Sequence, residues 1–170
     1  MKNYNEVSEG FSYISAADPK VMILGTMPSV KSLQDEFYYA HPRNAFWPIM
    51  QHITGYKIET RQDKITLIEN NHLLLWDVLS QCQREGSLDS AIKTPQANDF
   101  AALFKLYKNI SCIVFNGQKA AQLFQRLVIK KQPLVNDITL ITLPSTSPAN
   151  AKVSFADKQL FWQEKISNLL

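Results

Sequence analysis

The sequence predicts a three-layer α/β/α sandwich around a central, mostly parallel four-stranded sheet. Two observations carry this. Four short runs are apolar on both faces, as strands buried between two helical layers must be. Helical patterns separate these runs, and strands alternating with helices make a parallel sheet.

In chain order, the first strand is Val21-Met22-Ile23-Leu24, leaving through Gly25-Thr26-Met27-Pro28-Ser29. A helix over Ala45 to Ile53 follows Asn44, an N-cap residue type, with Pro48 tolerable near the first turn. A second helix, Glu59 to Glu69, sets Ile65, Leu67 and Ile68 on one side. The strand Leu73-Leu74-Leu75-Trp76 follows, then a helix over Asp99 to Tyr107 with Asn98 as its N-cap candidate. The third strand is Cys112-Ile113-Val114-Phe115, and Gly117 opens a helix from Gln118 to Val128. The strand Ile138 to Leu143 and a helix from Phe155 to Leu169 complete the order. That last helix is expected to start at Ser154 and to bury a stripe of Leu160, Phe161, Ile166 and Leu169. Right-handed crossovers place all four strand ends on one edge, so the loops after Leu24, Trp76, Phe115 and Leu143 converge there, where α/β folds bind ligands.

The 170 residues suffice for one domain, taken as residues 1–170, with a well-buried core. A composition 45% hydrophobic and 19% charged is that of an ordinary globular chain. No apolar run approaches the ~20 residues of a membrane span. The start, Met1 to Glu6, lacks the apolar stretch of a signal peptide. Cys82 and Cys112 form no metal-spaced cluster, so a reduced cytoplasmic protein without a metal or other cofactor is expected. A net charge of +3 neither demands nor excludes nucleic acid. There is no dinucleotide fingerprint, phosphate-binding Gly-rich loop or nucleophile elbow.

Two segments carry the chemistry. The first is Gly25 to Ser29 together with Tyr38-Tyr39-Ala40-His41-Pro42-Arg43-Asn44-Ala45-Phe46-Trp47. Gly25 allows close approach of a ligand to the backbone, and loop aromatics can stack on a nucleobase. Phe46 and Trp47 read as core, and Asn44 at least in part as a helix cap. The second is Leu143-Pro144-Ser145-Thr146-Ser147-Pro148-Ala149-Asn150, a loop stiffened by prolines and lined with hydroxyls that can bind phosphates. Between them, Asp77 either caps its loop or meets a ligand. Asn116 reads first as part of a strand-to-helix turn.

The element Tyr39 to Trp47 resembles the Phe-Ala-His-Pro-x-Asn-x-Phe-Trp signature of the mismatch-specific uracil-DNA glycosylases. That branch places its catalytic Asn within the Gly-x-Asn-Pro-Gly turn, where this chain has Met27, a side chain unable to position water. The Gly25 to Ser29 turn is instead similar to the Gly-[Ser/Thr]-x-Pro-[Ser/Gly] turn of the hypoxanthine-DNA glycosylase branch of the uracil-DNA glycosylase superfamily. Arg84 to Ser90, Phe115 to Ala120 and Ser145 at the start of the last loop also resemble that branch. The resemblance implies a DNA repair enzyme that extrudes a deaminated base from double- or single-stranded DNA and hydrolyses its N-glycosidic bond. Asn44 would be catalytic and Tyr39 the residue stacking on the base. Gly25, Thr26, Met27, His41, Asp77 and Asn116 would complete the base pocket. Ser145, Thr146, Ser147, Pro148 and Asn150 would hold the DNA backbone. A carboxylate only accepts hydrogen bonds, so Asp77 would accept the ring N–H of hypoxanthine or uracil. No Lys stands in either motif as a Schiff-base nucleophile, which implies a monofunctional enzyme, and a monomer is expected. The alternatives are a uracil or G:U/T mismatch-specific glycosylase and a non-catalytic DNA-binding module on the same fold.

Overall fold

The computed structural model describes residues 6–131, 134 and 137–170; residues 1–5, part of the segment read for a signal peptide, lie outside them. A five-stranded sheet forms the centre. It combines β2 (Ile14–Ser15), β3 (Val21–Gly25), β4 (Leu73–Asp77), β7 (Cys112–Asn116) and β8 (Thr139–Leu143) in the order β2-β4-β3-β7-β8. The last four of that order are the expected parallel strands. The fifth, β2, runs antiparallel on the edge beside β4 through Ile14 and Ser15, so the sheet is mixed and has five strands rather than four. Two residues are too few to show a period of two in the sequence, which is why this strand escapes a pattern reading.

Every residue of β3, β4 and β7 is buried. Alternate side chains point to opposite faces, so both faces must be covered, which is the condition for three layers. In contrast β8 is an edge strand, exposed along most of its length, with Leu140 at 43% exposure. A second, antiparallel sheet joins β1 (Val7–Glu9), β5 (Leu79–Gln83) and β6 (Lys93–Ala97) in the order β1-β5-β6.

The helices are α1 (Val30–Asp35), α2 (Phe46–Thr54), α3 (Arg61–Asn70), α4 (Phe100–Leu106), α5 (Gln118–Phe124) and α6 (Phe155–Ile166). α5 continues as a wider π turn over Gln125–Ile129. Thr60 and Asp63 form a reciprocal capping box on α3. Two expectations about helices need correction. α4 is capped by Asp99, whose side chain accepts from Ala102 N–H, and not by Asn98. α6 buries Lys158, Trp162 and Ile166 at four-residue spacing, while Leu160 and Phe161 face outward. Trp162 meets Phe46 edge to face at 5.9 Å, joining α6 to α2 beneath the cleft. None of the helices is long and apolar enough to cross a membrane among the described residues.

The chain leaves β3 for β4 on one side and then returns to β7 on the other. That reversal opens a crevice at the carboxyl end of β3, the place where open α/β sheets bind ligands.

Candidate active site

At that edge lies a cleft of about 1200 Å³, larger than a typical small-molecule pocket of ~300–1,000 Å³. It brings together the ends of all four parallel strands, and Gly25, Tyr39, Asn44, Asp77, Asn116 and Ser145 all line it.

The floor is Gly25. A methyl group on its Cα would stand 2.5 Å from Asp77 Oδ1 and 2.9 Å from Tyr39 Oη. Only glycine leaves room for both side chains. Asp77 ends β4 and is 4% exposed. Asn98 secures the strand end by donating to the Asp77 carbonyl at 2.8 Å. Burial, and secondly the charge of Asp89, push the Asp77 carboxyl up to about 7, with Arg84 opposing the rise. Its Oδ2 has no hydrogen-bond partner among the described residues.

Asp89 is a site residue that sequence reasoning misses. Its Oδ2 accepts from the Thr26 hydroxyl at 3.3 Å, and it lines the cleft. Burial raises its carboxyl, while Arg84, Thr26 and Lys119 hold it down. Arg84 anchors the loop by donating through Nη2 to the Pro28 carbonyl, and Ser87 Oγ accepts from Val30 N–H at 2.9 Å. The run Arg84-Glu85-Gly86-Ser87-Leu88-Asp89 is conspicuous in the sequence, yet only the path of the loop shows that Asp89 turns inward.

One wall is the aromatic segment. Tyr38 is core: its hydroxyl donates to the Ser12 carbonyl at 3.0 Å. Tyr39 turns into the cleft at φ 52 and packs on Phe46, with ring centroids 4.2 Å apart. Burial and the nearby carboxylates raise its hydroxyl well above the usual phenol range, so it stays protonated. His41 organises the turn that follows. Its Nδ1 accepts from Arg43 N–H at 3.1 Å and its carbonyl accepts from Asn44 N–H at 2.9 Å. Asn44 Oδ1 accepts from the N–H of Phe46, the first residue of α2, at 2.9 Å. The N-cap position expected for Asn44 is nevertheless held by Ala45, which has no side-chain cap, because the turn of helical backbone before α2 shifts the cap one residue on. Because a backbone N–H fixes which end of the amide is oxygen, the Nδ2 end is left without a hydrogen bond to the described residues.

The opposite wall is the loop after β8. Thr146 is completely buried. Asn116 Nδ2 donates to its hydroxyl and Asn116 Oδ1 accepts from its N–H, both at 2.9 Å. The Thr146 carbonyl accepts from Ala45 N–H at 3.0 Å, tying this loop to the residue after Asn44. Around it, Ser145 Oγ accepts from Ser147 N–H, Ser147 Oγ from Ala149 N–H, and Asn150 donates to the Ser145 carbonyl. Lys158 donates to the Ser147 carbonyl at 3.1 Å, and Trp162 to that of Pro144 at 2.9 Å. Thr26 and Met27 are buried along the first loop, and Pro148 lies at the cleft margin. No group of three or more His, Cys, Asp or Glu is placed to hold a metal among the described residues.

A family model described as the uracil DNA glycosylase superfamily matches residues 11–165. A hypoxanthine DNA glycosylase of Methanosarcina acetivorans is 32% identical over 152 residues, which cover 87% of this chain and 91% of that protein. Another of that name, from Methanosarcina barkeri, is 31% identical over 116 residues, 67% of this chain and 73% of its own length. The solution NMR structure of a Methanosarcina acetivorans protein, provisionally described as a uracil DNA glycosylase, superposes with a TM-score of 0.81 at 29% identity, covering 96% of this chain and 99% of that one. With the cleft built at the strand ends from the two motif loops, these matches establish that the chain belongs to the uracil DNA glycosylase superfamily.

Proposed function

We propose that this protein is a monofunctional DNA glycosylase that releases hypoxanthine, and secondarily uracil, by hydrolysis after extruding the damaged nucleotide from DNA. The observation that carries the reading is Asp77: a carboxylate buried at the inner end of an open cleft, with one oxygen unpartnered among the described residues. Hypoxanthine and uracil each present a ring N–H on the pairing edge, while adenine and cytosine present an acceptor nitrogen there. An ionised Asp77 accepts the former and repels the latter. The names of the two relatives at 31–32% identity support hypoxanthine as the principal substrate.

In this mechanism the glycosidic bond breaks with positive charge developing on the deoxyribose and its electron pair leaving with the base. Water adds to the sugar carbon, and the proton it releases ends on the departed base. Asn44 orients that water. An amide is too weak a base to take the proton at neutral pH, so its contribution is placement and hydrogen bonding. Tyr39, backed by Phe46, closes the inner wall around the base, and Gly25, Thr26, Met27 and His41 shape the pocket. Asn116 acts indirectly, through Thr146. Ser145, Ser147 and Asn150 contact DNA phosphates, and Pro148 braces the loop; the fully bonded Thr146 positions them rather than touching DNA. Lys119 and Lys152 add positive charge to the cleft lining. The enzyme works as a monomer, without a metal, in the reducing cytoplasm.

Base release from duplexes carrying one hypoxanthine, uracil, xanthine or mismatched thymine tests this, with wild type beside Asn44→Ala. Loss of release in the variant with DNA binding retained is expected. No release by well-folded wild type would leave the binding-module reading in its place, and a borohydride-trapped covalent adduct would contradict the monofunctional chemistry. For the Asp77 assignment, an Asp77→Asn enzyme that still rejects adenine as fully as wild type would sink it.

A further inference from the structure

Two polar atoms at the inner end of the cleft are buried without a hydrogen-bond partner among the described residues, the Tyr39 hydroxyl and Asp77 Oδ2. One is a donor and the other, in its ionised form, only accepts. The two side chains converge over Gly25, where an added methyl would stand 2.5 Å from Asp77 Oδ1, the other oxygen of the same carboxylate, and 2.9 Å from Tyr39 Oη. Thr146 takes the Asn116 Oδ1 and one of its two Nδ2–H donors, and the other N–H lies beside the Tyr39 oxygen; an amide N–H there can only donate, so the Tyr39 O–H itself still lacks an acceptor. Leaving a buried donor and a buried acceptor unpaired is unfavourable, and such atoms call for a ligand. Tyr39 also holds a left-handed backbone angle, φ 52, which strains a residue with a side chain and is typical of functional positions.

We propose that the Tyr39 hydroxyl and the Asp77 carboxylate form a donor–acceptor pair that reads a ring carbonyl and the adjacent ring N–H of the extruded base. In a 6-oxopurine these are O6 and N1–H; in a 4-oxopyrimidine, O4 and N3–H. Adenine and cytosine offer the reverse, an amino donor beside an acceptor nitrogen, so the acceptor nitrogen faces the carboxylate. Guanine carries the same two groups as hypoxanthine, so the pair sorts oxo from amino bases and not those two from each other. This rests on the glycosylase reading above and changes the part played by Tyr39. A stacking wall uses the ring face and has no need of the hydroxyl. One face of the Tyr39 ring already rests on Phe46.

Tyr39→Phe in the full chain keeps the ring and removes the donor. Single-turnover release would be measured from duplexes carrying hypoxanthine or unsubstituted purine, which lacks both the 6-carbonyl and the N1–H. Binding of the two free bases would be followed by calorimetry. The variant is expected to release hypoxanthine about 10–100-fold more slowly, as when a hydrogen bond to a substrate carbonyl is lost. Its preference for hypoxanthine over purine should fall by about tenfold or more in both release and binding. An unchanged preference in both assays would overturn the proposal and leave Tyr39 a stacking wall. Failure of the underlying reading looks different, because wild type would then release neither base. Free-base binding still decides the pair in that case: a preference for hypoxanthine lost in the variant supports it, and equal binding of both bases by wild type refutes it.

Discussion

Asn116 grips Thr146 with both ends of its amide, donating to the hydroxyl and accepting from the backbone N–H, each at 2.9 Å. The carbonyl of the same threonine holds Ala45, next to Asn44, so one side chain on β7 sets the spacing between the two motif loops.

Asn116→Ala leaves a fully buried N–H and hydroxyl unpaired. A loss of about 2–4 kcal/mol in unfolding free energy is expected, since each abandoned group costs ~1–3 kcal/mol. Base release should fall further than the loss of folded protein explains, because Asn44 loses its brace. Asn116→Asp keeps an acceptor for the Thr146 N–H and should recover part of both. Urea titration alongside single-turnover release separates the two effects.

Gly25→Ala drives a methyl into Asp77 and Tyr39. The sheet around β3 tolerates small changes less well than a loop, but the clash is with two cleft side chains rather than with the core. A folded protein whose base release is down about 100-fold is expected, the scale associated with ~1 Å misplacement in an active site. Circular dichroism and release from a hypoxanthine duplex would check it; near-wild-type release would mean that neither side chain is held where it is needed.

An ionised Asp77 accepts an N–H more strongly than a protonated one and offers no donor to an acceptor nitrogen, and burial pushes its carboxyl up to about 7. Hypoxanthine release should therefore rise with pH through neutrality. Asp89→Asn removes a charge that raises Asp77, so this limb should move to lower pH; removing Arg84, which opposes the rise, should move it higher. Stability should run the other way. A carboxyl that titrates higher when folded than its ordinary 3.8 binds its proton more tightly in the native state. Its contribution is complete below the unfolded value and is lost as pH climbs toward 7. Asp77→Asn should consequently be more stable than wild type above pH 7, by roughly 1–3 kcal/mol, and nearly equal to it at pH 4. Denaturation midpoints across that range would test the sign.

Lys158 buries its stem in α6 and gives its ammonium to the Ser147 carbonyl at 3.1 Å. Lys158→Met preserves the packing of the stem and cuts that tie. About 1–3 kcal/mol of charge-assisted bonding is removed from the loop. DNA affinity should weaken severalfold, while release at saturating enzyme changes much less. Titration of a labelled duplex at fixed salt, since phosphate contacts are salt-sensitive, measures it.

The buried half of this molecule was legible because β3, β4 and β7 are apolar on both faces, and a short run of that kind suits a strand covered by helices above and below. The margins were not. β2 is two residues long, β6 reads Lys-Thr-Pro-Gln-Ala, and neither shows a periodicity that propensity can detect. In α6 the exposed Leu160 and Phe161 masqueraded as the core stripe, and only packing against α2 reveals Trp162 as the buried ring. The site divides in the same manner. Gly25, Asn44 and Asp77 stand where strands end or helices begin, which a sequence can locate. Asp89 depends on the route of a loop, and the engagement of Asn116 depends on a threonine 30 residues further along.

The order of strands in the sheet differs from their order along the chain, and this has a consequence for synthesis. A nascent polypeptide that has emerged as far as α5 can already pair β3 with β4 and β7 and assemble the pocket floor from Gly25, Asp77 and Tyr39. It still lacks Thr146, the brace beside Asn44, and the loop that would hold a phosphate backbone. Folding from the amino end can therefore close the Gly25, Asp77 and Tyr39 end of the cleft before the wall formed by the loop after β8.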